Sequence, residues 1–186
     1  MSSGYQENLI RTVLDNSVNS YWDSAVYEWE IVDCVGDGVN DSACICGKEN
    51  IRYLFTIRNQ HNGNELFPIG STCIKKFNRE ELNELTSVQE KLFRLLHAIQ
   101  KHKYISLDSE CFSKKLLKYL YEERVFLPTK YNDFDPEKDY LLMLDMFNKR
   151  NEPTEKQQNK IKAIMMSSVR PYLVEQLKDK VIGENV

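Results

Sequence analysis

Two short stretches carry the side chains best suited to hold a metal: Cys44-Ile45-Cys46-Gly47 and Gly70-Ser71-Thr72-Cys73. Cys-x-Cys-Gly makes a knuckle, with two sulfurs close together and a glycine that lets the backbone turn toward an ion. A third thiolate at a helix start is favoured, because the N-terminal end of the helix dipole stabilises negative sulfur. The donor set points to one structural zinc ion held by Cys44, Cys46 and Cys73.

A tetrahedral ion leaves a fourth position to fill. Cys34 ends a strand leading into the same base and is the candidate for it. The alternatives are a buried, metal-free Cys34 or a ligand from His97, His102 or Cys111. His97 and His102 are five residues apart on a helix and do not share a face well. His61 belongs at the hairpin tip, beside Asn62-Gly63. At about 3.3 Å per strand residue it lies too far from the base to be a good ligand.

Catalytic zinc needs an open coordination position and a base beside its water. The chain has neither the paired His-x-Glu and Cys-x-x-Cys of nucleobase deaminases nor His-Glu-x-x-His. Gly-x-Ser-x-Gly and a phosphate-cradling glycine-rich loop are also missing. The expectation is a structural metal in a protein that is not an enzyme, with no small-molecule substrate evident.

The elements that must position these sulfurs can be read along the chain. Leu9, Ile10, Val13 and Leu14 predict a short amphipathic helix over Tyr5–Leu14, and Tyr21–Tyr27 a second. Trp29–Cys34 alternates toward a strand, with Trp22, Tyr27 and Trp29 as packing residues, and Gly36–Ser42 is a loop by composition. In Ile51–Asn59 the residues Ile51, Tyr53, Phe55 and Ile57 share one face, while Arg52, Leu54, Thr56 and Arg58 share the other. That period of two is a half-buried strand. Asn62-Gly63 predicts a type I′ hairpin turn. Pro68 restricts the returning strand to an edge or a strand end. Ser71 is the expected N-cap that puts Cys73 in the first helical turn.

From Asn78 the pattern is helical. Asn78 with Glu81 reads as a capping pair ahead of Leu82, Leu85, Val88, Leu92, Leu95, Leu96 and Ile99. Asp108 or Ser109 is the expected cap for a helix bearing Leu116, Leu117 and Leu120. Phe126–Phe134 reads as a loop, and Asp135-Pro136 starts a helix lined by Tyr140, Leu141, Leu144, Met146 and Phe147. Thr154–Gln157 is a capping box for a last helix that Pro171 ends or kinks. The expected fold is α+β: a zinc-bound β-hairpin module in residues 1–79, then a mainly helical bundle in residues 80–186.

At 186 residues and 41% hydrophobic, the chain can bury one good core or two small ones. No run approaches the roughly 18 apolar residues of a membrane span, and the N-terminus lacks a charged-then-apolar signal pattern. A cytoplasmic protein without a membrane partner is expected. Of the five cysteines, Cys34, Cys44, Cys46 and Cys73 sit in the first half and Cys111 stands alone, a clustering that in a reducing compartment favours metal ligation over disulfides. The formal charge of −3 hides a division: residues 1–47 carry eight acids against Arg11, and residues 48–79 carry six bases against Glu49 and Glu65. The basic concentration therefore coincides with the metal module. Arg52, Arg58, Lys75, Lys76 and Arg79 are its candidate phosphate contacts.

The run from Cys44 to Phe77 resembles the treble-clef and zinc-ribbon class: a knuckle, a hairpin, and a ligand at a helix start. It departs from the four-cysteine form in its Cys-x-Cys spacing and its single helix cysteine. With Trp29 upstream and Thr154–Gln157 downstream, the chain also resembles uncharacterised proteins of phages and low-GC bacteria. The resemblance implies a non-enzymatic binding module for nucleic acid or nucleic-acid machinery. The alternative expectation is an acidic interaction factor, an inhibitor or adaptor, that docks on a host transcription or replication protein.

Overall fold

A computed structural model describes residues 4–101, 107–149 and 151–183. It is α+β, with a four-stranded mixed sheet and a mainly helical C-terminal part. The chain forms two compact units that divide after Ser87, inside a long helix, and the segment from Asp179 belongs to the first. The boundary expected from the sequence lies at residue 79, and the expected helical domain runs on to the C-terminus. None of the helices among the described residues is long and apolar enough to cross a membrane.

In the first unit, α1 (Gly4–Asp15) and the short α2 (Trp22–Ala25) precede β1 (Trp29–Asp37), β2 (Tyr53–Asn59) and β3 (Glu65–Ile69). Next come α3 (Ser71–Lys75), the start of α4 (Glu80–Gln100) and, from the far end of the chain, β4 (Val181–Ile182). The sheet order is β3-β2-β1-β4. β1 and β2 are antiparallel from Trp29 opposite Asn59 to Gly36 opposite Tyr53, with a register shift between Ile31 and Asp33. β4 pairs in parallel with β1, Gly36 opposite Val181. Nothing in the local pattern of Val181-Ile182 marks it as a strand; the pairing exists because the end of β1 offers a free edge. Pro68 sits in β3, an edge strand, where its missing N–H breaks no ladder bond. The core consists of the inward faces of the strands and of α1, with Leu9, Val13, Trp29, Phe55, Ile57, Ile69 and Ile74 wholly buried.

The hairpin loop is not the expected two-residue turn. Gly63 alone of Asn62-Gly63 has a positive φ, at 77°. Asn59 shapes the longer loop instead: its Oδ1 accepts from the His61 and Asn62 amides at 2.8 and 3.2 Å. An Asn side chain that captures amides two and three residues ahead replaces the type I′ geometry. Asn78 has φ 54°, the left-handed conformation that stops α3, so it does not pair with Glu81 as a cap.

The second unit holds the rest of α4, α5 (Lys114–Glu122), α6 (Pro136–Asn148), α7 (Glu155–Ile164) and α8 (Arg170–Leu177). Ser113 caps α5 by accepting from the Leu116 amide at 3.1 Å. Asp108 accepts from the Glu110 and Cys111 amides, in a turn of its own. Asp135 caps α6 with Pro136 behind it, as the sequence requires. The buried face of α6 is Asp139, Met143 and Met146, and Leu141 is exposed. Asp139 is tolerated inside because Asn132 donates to it at 2.8 Å and Lys160 lies 3.5 Å away. The capping box Thr154–Gln157 is complete. Pro171 neither ends nor sharply breaks the helical run. A π-helical turn over Met165–Val169 precedes it, and a widened turn is the usual way a helix accommodates a ring that cannot donate an N–H.

Thr154→Ala is expected to lower the stability of the second unit by about 1 kcal/mol, measured by urea denaturation.

Candidate metal centre

The knuckle is built from three directions. Asp37, at the end of β1, accepts four successive amides, from Val39 to Ser42, at 2.9–3.0 Å. This folds the loop into a fixed arc that delivers Ser42 to a bridge with Ile51. Burial is the largest single influence and pushes the Asp37 carboxyl up, but the Ser42 hydroxyl and the amides of Ser42, Asn40 and Val39 outweigh it and hold the group at about 2. The knuckle follows directly: Cys44 N–H donates to the Lys48 carbonyl at 2.8 Å and Gly47 N–H to the Cys44 carbonyl at 2.7 Å. Gly47 takes φ 91°, a conformation that strains any other residue. The turn is tied to β3 by Ile45 N–H on the Pro68 carbonyl at 2.9 Å, and to α1 by Asn8 Nδ2 on the Cys46 carbonyl at 3.2 Å.

Across from the knuckle, α3 begins at Ser71 with Gly70 as its N-cap, so the expected cap residue is already inside the helix. Cys73 lies in the first turn, as the spacing requires. The three buried sulfurs of Cys44, Cys46 and Cys73 all lie within 4.8 Å of one another, close enough to bind a metal ion such as zinc. The Cys44 and Cys73 sulfurs are 3.7 Å apart. A tetrahedral zinc with bonds of about 2.3 Å separates its sulfurs by about 3.8 Å, so the pair already has the spacing of one tetrahedron edge.

Cys44 is drawn down to about 5 by its hydrogen bond with Cys73, assisted by the Cys46 and Gly70 amides, while burial opposes. Cys73 is pushed up by the same hydrogen bond, by burial and by the negative charge on Cys44. Protons and a metal compete for the same sulfur lone pairs.

Cys34 is buried on β1 opposite Phe55 and is outside the three-sulfur cluster. β2 intervenes between β1 and β3, so two strand spacings, about 10 Å, separate Cys34 from the end of β3 where the cluster forms. His61 lies in the hairpin loop, and His97 and Cys111 are also outside the cluster; His102 lies outside the described residues.

The five expected phosphate contacts separate into two groups. Arg58 pairs across the hairpin with Glu65 at 2.6 Å, both half exposed. Arg79 is 11% exposed and donates through Nη1 to the Val26 and Trp29 carbonyls at 3.2 and 2.6 Å, and through Nε to Glu81. Its charge pins the start of β1 to the start of α4, a role that a count of basic residues cannot reveal. Arg52, Lys75 and Lys76 make no side-chain hydrogen bond or ion pair among the described residues.

Lys48, beside the knuckle, is a further cation without a partner among the described residues. Its place between Cys46 and the strand is the signal that could have singled it out. Glu28 and Asn59, which anchor the far end of the hairpin, were likewise not apparent as partners from the sequence. No protein-family model matches the chain, and neither a curated protein nor a solved structure does.

Proposed function

We propose that the chain is a non-enzymatic binding protein whose first unit is a single structural zinc site carrying a basic, nucleic-acid-facing surface. The observation that supports this most is the coincidence of the three-sulfur cluster with cations that have no partner of their own. Arg52, Lys75, Lys76 and Lys48 all lie on the segments that the cluster ties together. Unpaired cations on a rigid support give affinity for phosphate without ordering long loops on binding. Zinc would cross-link the knuckle to α3 and add to the buried core of the unit.

The competing reading is an acidic factor docking on a host transcription or replication protein. It has fewer charges to draw on than the sequence implies. Glu28 and Asp37 are buried, and Asp33 is paired with Lys180 at 2.6 Å.

Fluorescence anisotropy with labelled single- and double-stranded DNA and RNA tests the proposal. With up to four phosphates neutralised, log Kobs is expected to fall with log salt at a slope of up to about −3.6 on duplex DNA. Undetectable binding at about 50 mM salt, where phosphate contacts are strongest, would remove this reading.

A further inference from the structure

A cavity of about 170 Å³ opens beside the sulfur cluster, bordered by Cys44 and Cys73. Its polar lining is Lys48, Asn50, Arg52, Ser71 and Thr72, with Ile51 and Tyr53 as its apolar wall. Among the described residues, none of those five polar side chains has a hydrogen-bond or ion-pair partner within the chain. Among the described residues, no acid lines the cavity. Two cations, two hydroxyls and an amide, without partners among the described residues, therefore line one small space.

That composition selects an anion with several acceptor oxygens. Arg and Lys supply charge-assisted donors, hydroxyls supply adjustable ones, and no carboxylate repels the ligand. Charge balance against the thiolates accounts for two nearby cations. It does not account for the two hydroxyl residues and the asparagine that line the same space. Size narrows the class further. Sites for drug-sized ligands run from roughly 300 to 1,000 Å³, so this cavity is too small for a whole nucleotide but takes one tetrahedral oxyanion.

We propose that the cavity between the knuckle, the start of β2 and α3 is a binding site for a single phosphoryl group, held by Arg52 and Lys48 with Ser71, Thr72 and Asn50. The proposal deepens the nucleic-acid reading and in that sense rests on it. The cavity would seat either one backbone phosphodiester or a terminal phosphate, and the two sources share the same oxyanion chemistry.

The test uses the purified full-length protein with its bound metal, at constant ionic strength. Inorganic phosphate is titrated while backbone amides are followed by NMR. Two oligothymidines of equal length, one with a 5′-phosphate and one with a 5′-hydroxyl, are then titrated by anisotropy. Phosphate is expected to shift the amides of Arg52, Ser71 and Thr72. Arg52→Gln is expected to weaken phosphate and oligonucleotide binding about tenfold, and Lys48→Gln several-fold. Lys156→Gln, exposed on α7 and not among the residues that line the cavity, leaves inorganic phosphate binding unchanged. Metal content is measured in every variant, so loss of the fold is not mistaken for loss of the site.

Tighter binding of the 5′-phosphorylated strand that Arg52→Gln abolishes assigns a terminal phosphate. Equal binding of both strands, weakened alike, assigns an internal diester. The proposal is overturned if millimolar phosphate leaves those amides unmoved, or if Arg52→Gln and Lys48→Gln bind phosphate as the parent does. Oligonucleotide binding that survives both substitutions in that case keeps the basic-surface reading and discards the cavity. Phosphate binding without oligonucleotide binding does the reverse.

Discussion

Cys73→Ser is expected to strip the metal from the protein and to unfold the hairpin unit with it. Cys73 is the one cluster sulfur that comes from outside the knuckle, so it is the link between the two ends of the hairpin. Structural zinc contributes apparent binding free energies of about 10–16 kcal/mol in small modules. That is as large as the whole stability of a typical domain, roughly 5–15 kcal/mol. Metal analysis of the parent should return about one zinc per chain; Cys73→Ser should return little, with loss of NMR dispersion in residues 4–87. Cys34→Ser should retain the metal, because Cys34 is separated from the cluster by a whole strand. A Cys73→Ser protein that stays folded and keeps its zinc, or a parent that folds fully after chelation, would defeat the idea of a structural metal. Loss of zinc in Cys34→Ser would show that β1 reaches the site and would restore Cys34 as the fourth ligand.

Glu28→Gln should be the most damaging single-atom change elsewhere in the first unit, at about 3 kcal/mol. Glu28 is 1% exposed and sits where the helical N-terminus, β1 and the hairpin loop meet. Its Oε1 accepts from the Asn19 amide and side chain at 2.7 and 2.6 Å. Its Oε2 accepts from the Val18 amide and Asn59 Nδ2, at 2.7 and 2.6 Å. A glutamine can offer an acceptor to only one of those pairs; the other then faces an NH₂ group. Glu30→Gln, on the same strand but exposed and without a partner, is the control and should fall within about 0.5 kcal/mol of the parent.

The same carboxyl gives the protein a defined acid limit. Burial, the largest single influence on Glu28, raises its pKa, but the bonds from Asn59, Val18 and Asn19 together outweigh it and hold the group at about 2. Asp37 is likewise held at about 2 against burial, by the Ser42 hydroxyl and the amides of Ser42, Asn40 and Val39. Both folded values lie below the unfolded ones, so their stabilisation is complete above about pH 4.5. It is lost as pH falls from there through about 2. Urea midpoints of the parent measured across that range should drop steeply, and those of Glu28→Gln should drop less. Equal slopes would mean that the carboxylate is not the group being titrated. Metal loss from the thiolates adds to acid unfolding, so the comparison is between the two proteins and not with neutral pH alone.

Local chemistry made much of this molecule legible. Cys-x-Cys-Gly, the alternating Ile51–Asn59 run and a cysteine just after Gly70 determine a three-sulfur base to a hairpin, because each depends only on neighbours a few residues away. Asp135-Pro136 and the Thr154–Gln157 box determine helix starts for the same reason. What the tertiary structure decided are relations between distant residues. Cys34 has a suitable chemical type and burial, but strand order puts β2 between it and the sulfurs. Arg79 counts as a surface charge in any composition, yet two carbonyls some 50 positions earlier claim it. β4 is made a strand by the open edge of β1 and not by its own two residues. Asn59 overrode the Asn62-Gly63 turn because Glu28, 31 positions away, holds its amide and aims its oxygen at the loop. The same distinction applies at the metal centre. The three sulfurs could be predicted from spacing, because a knuckle and a helix start are local structures. The partnerless cations and hydroxyls beside them emerged only when the fold paired Arg58 and Arg79 elsewhere and left Arg52 and Lys48 facing an acid-free cavity.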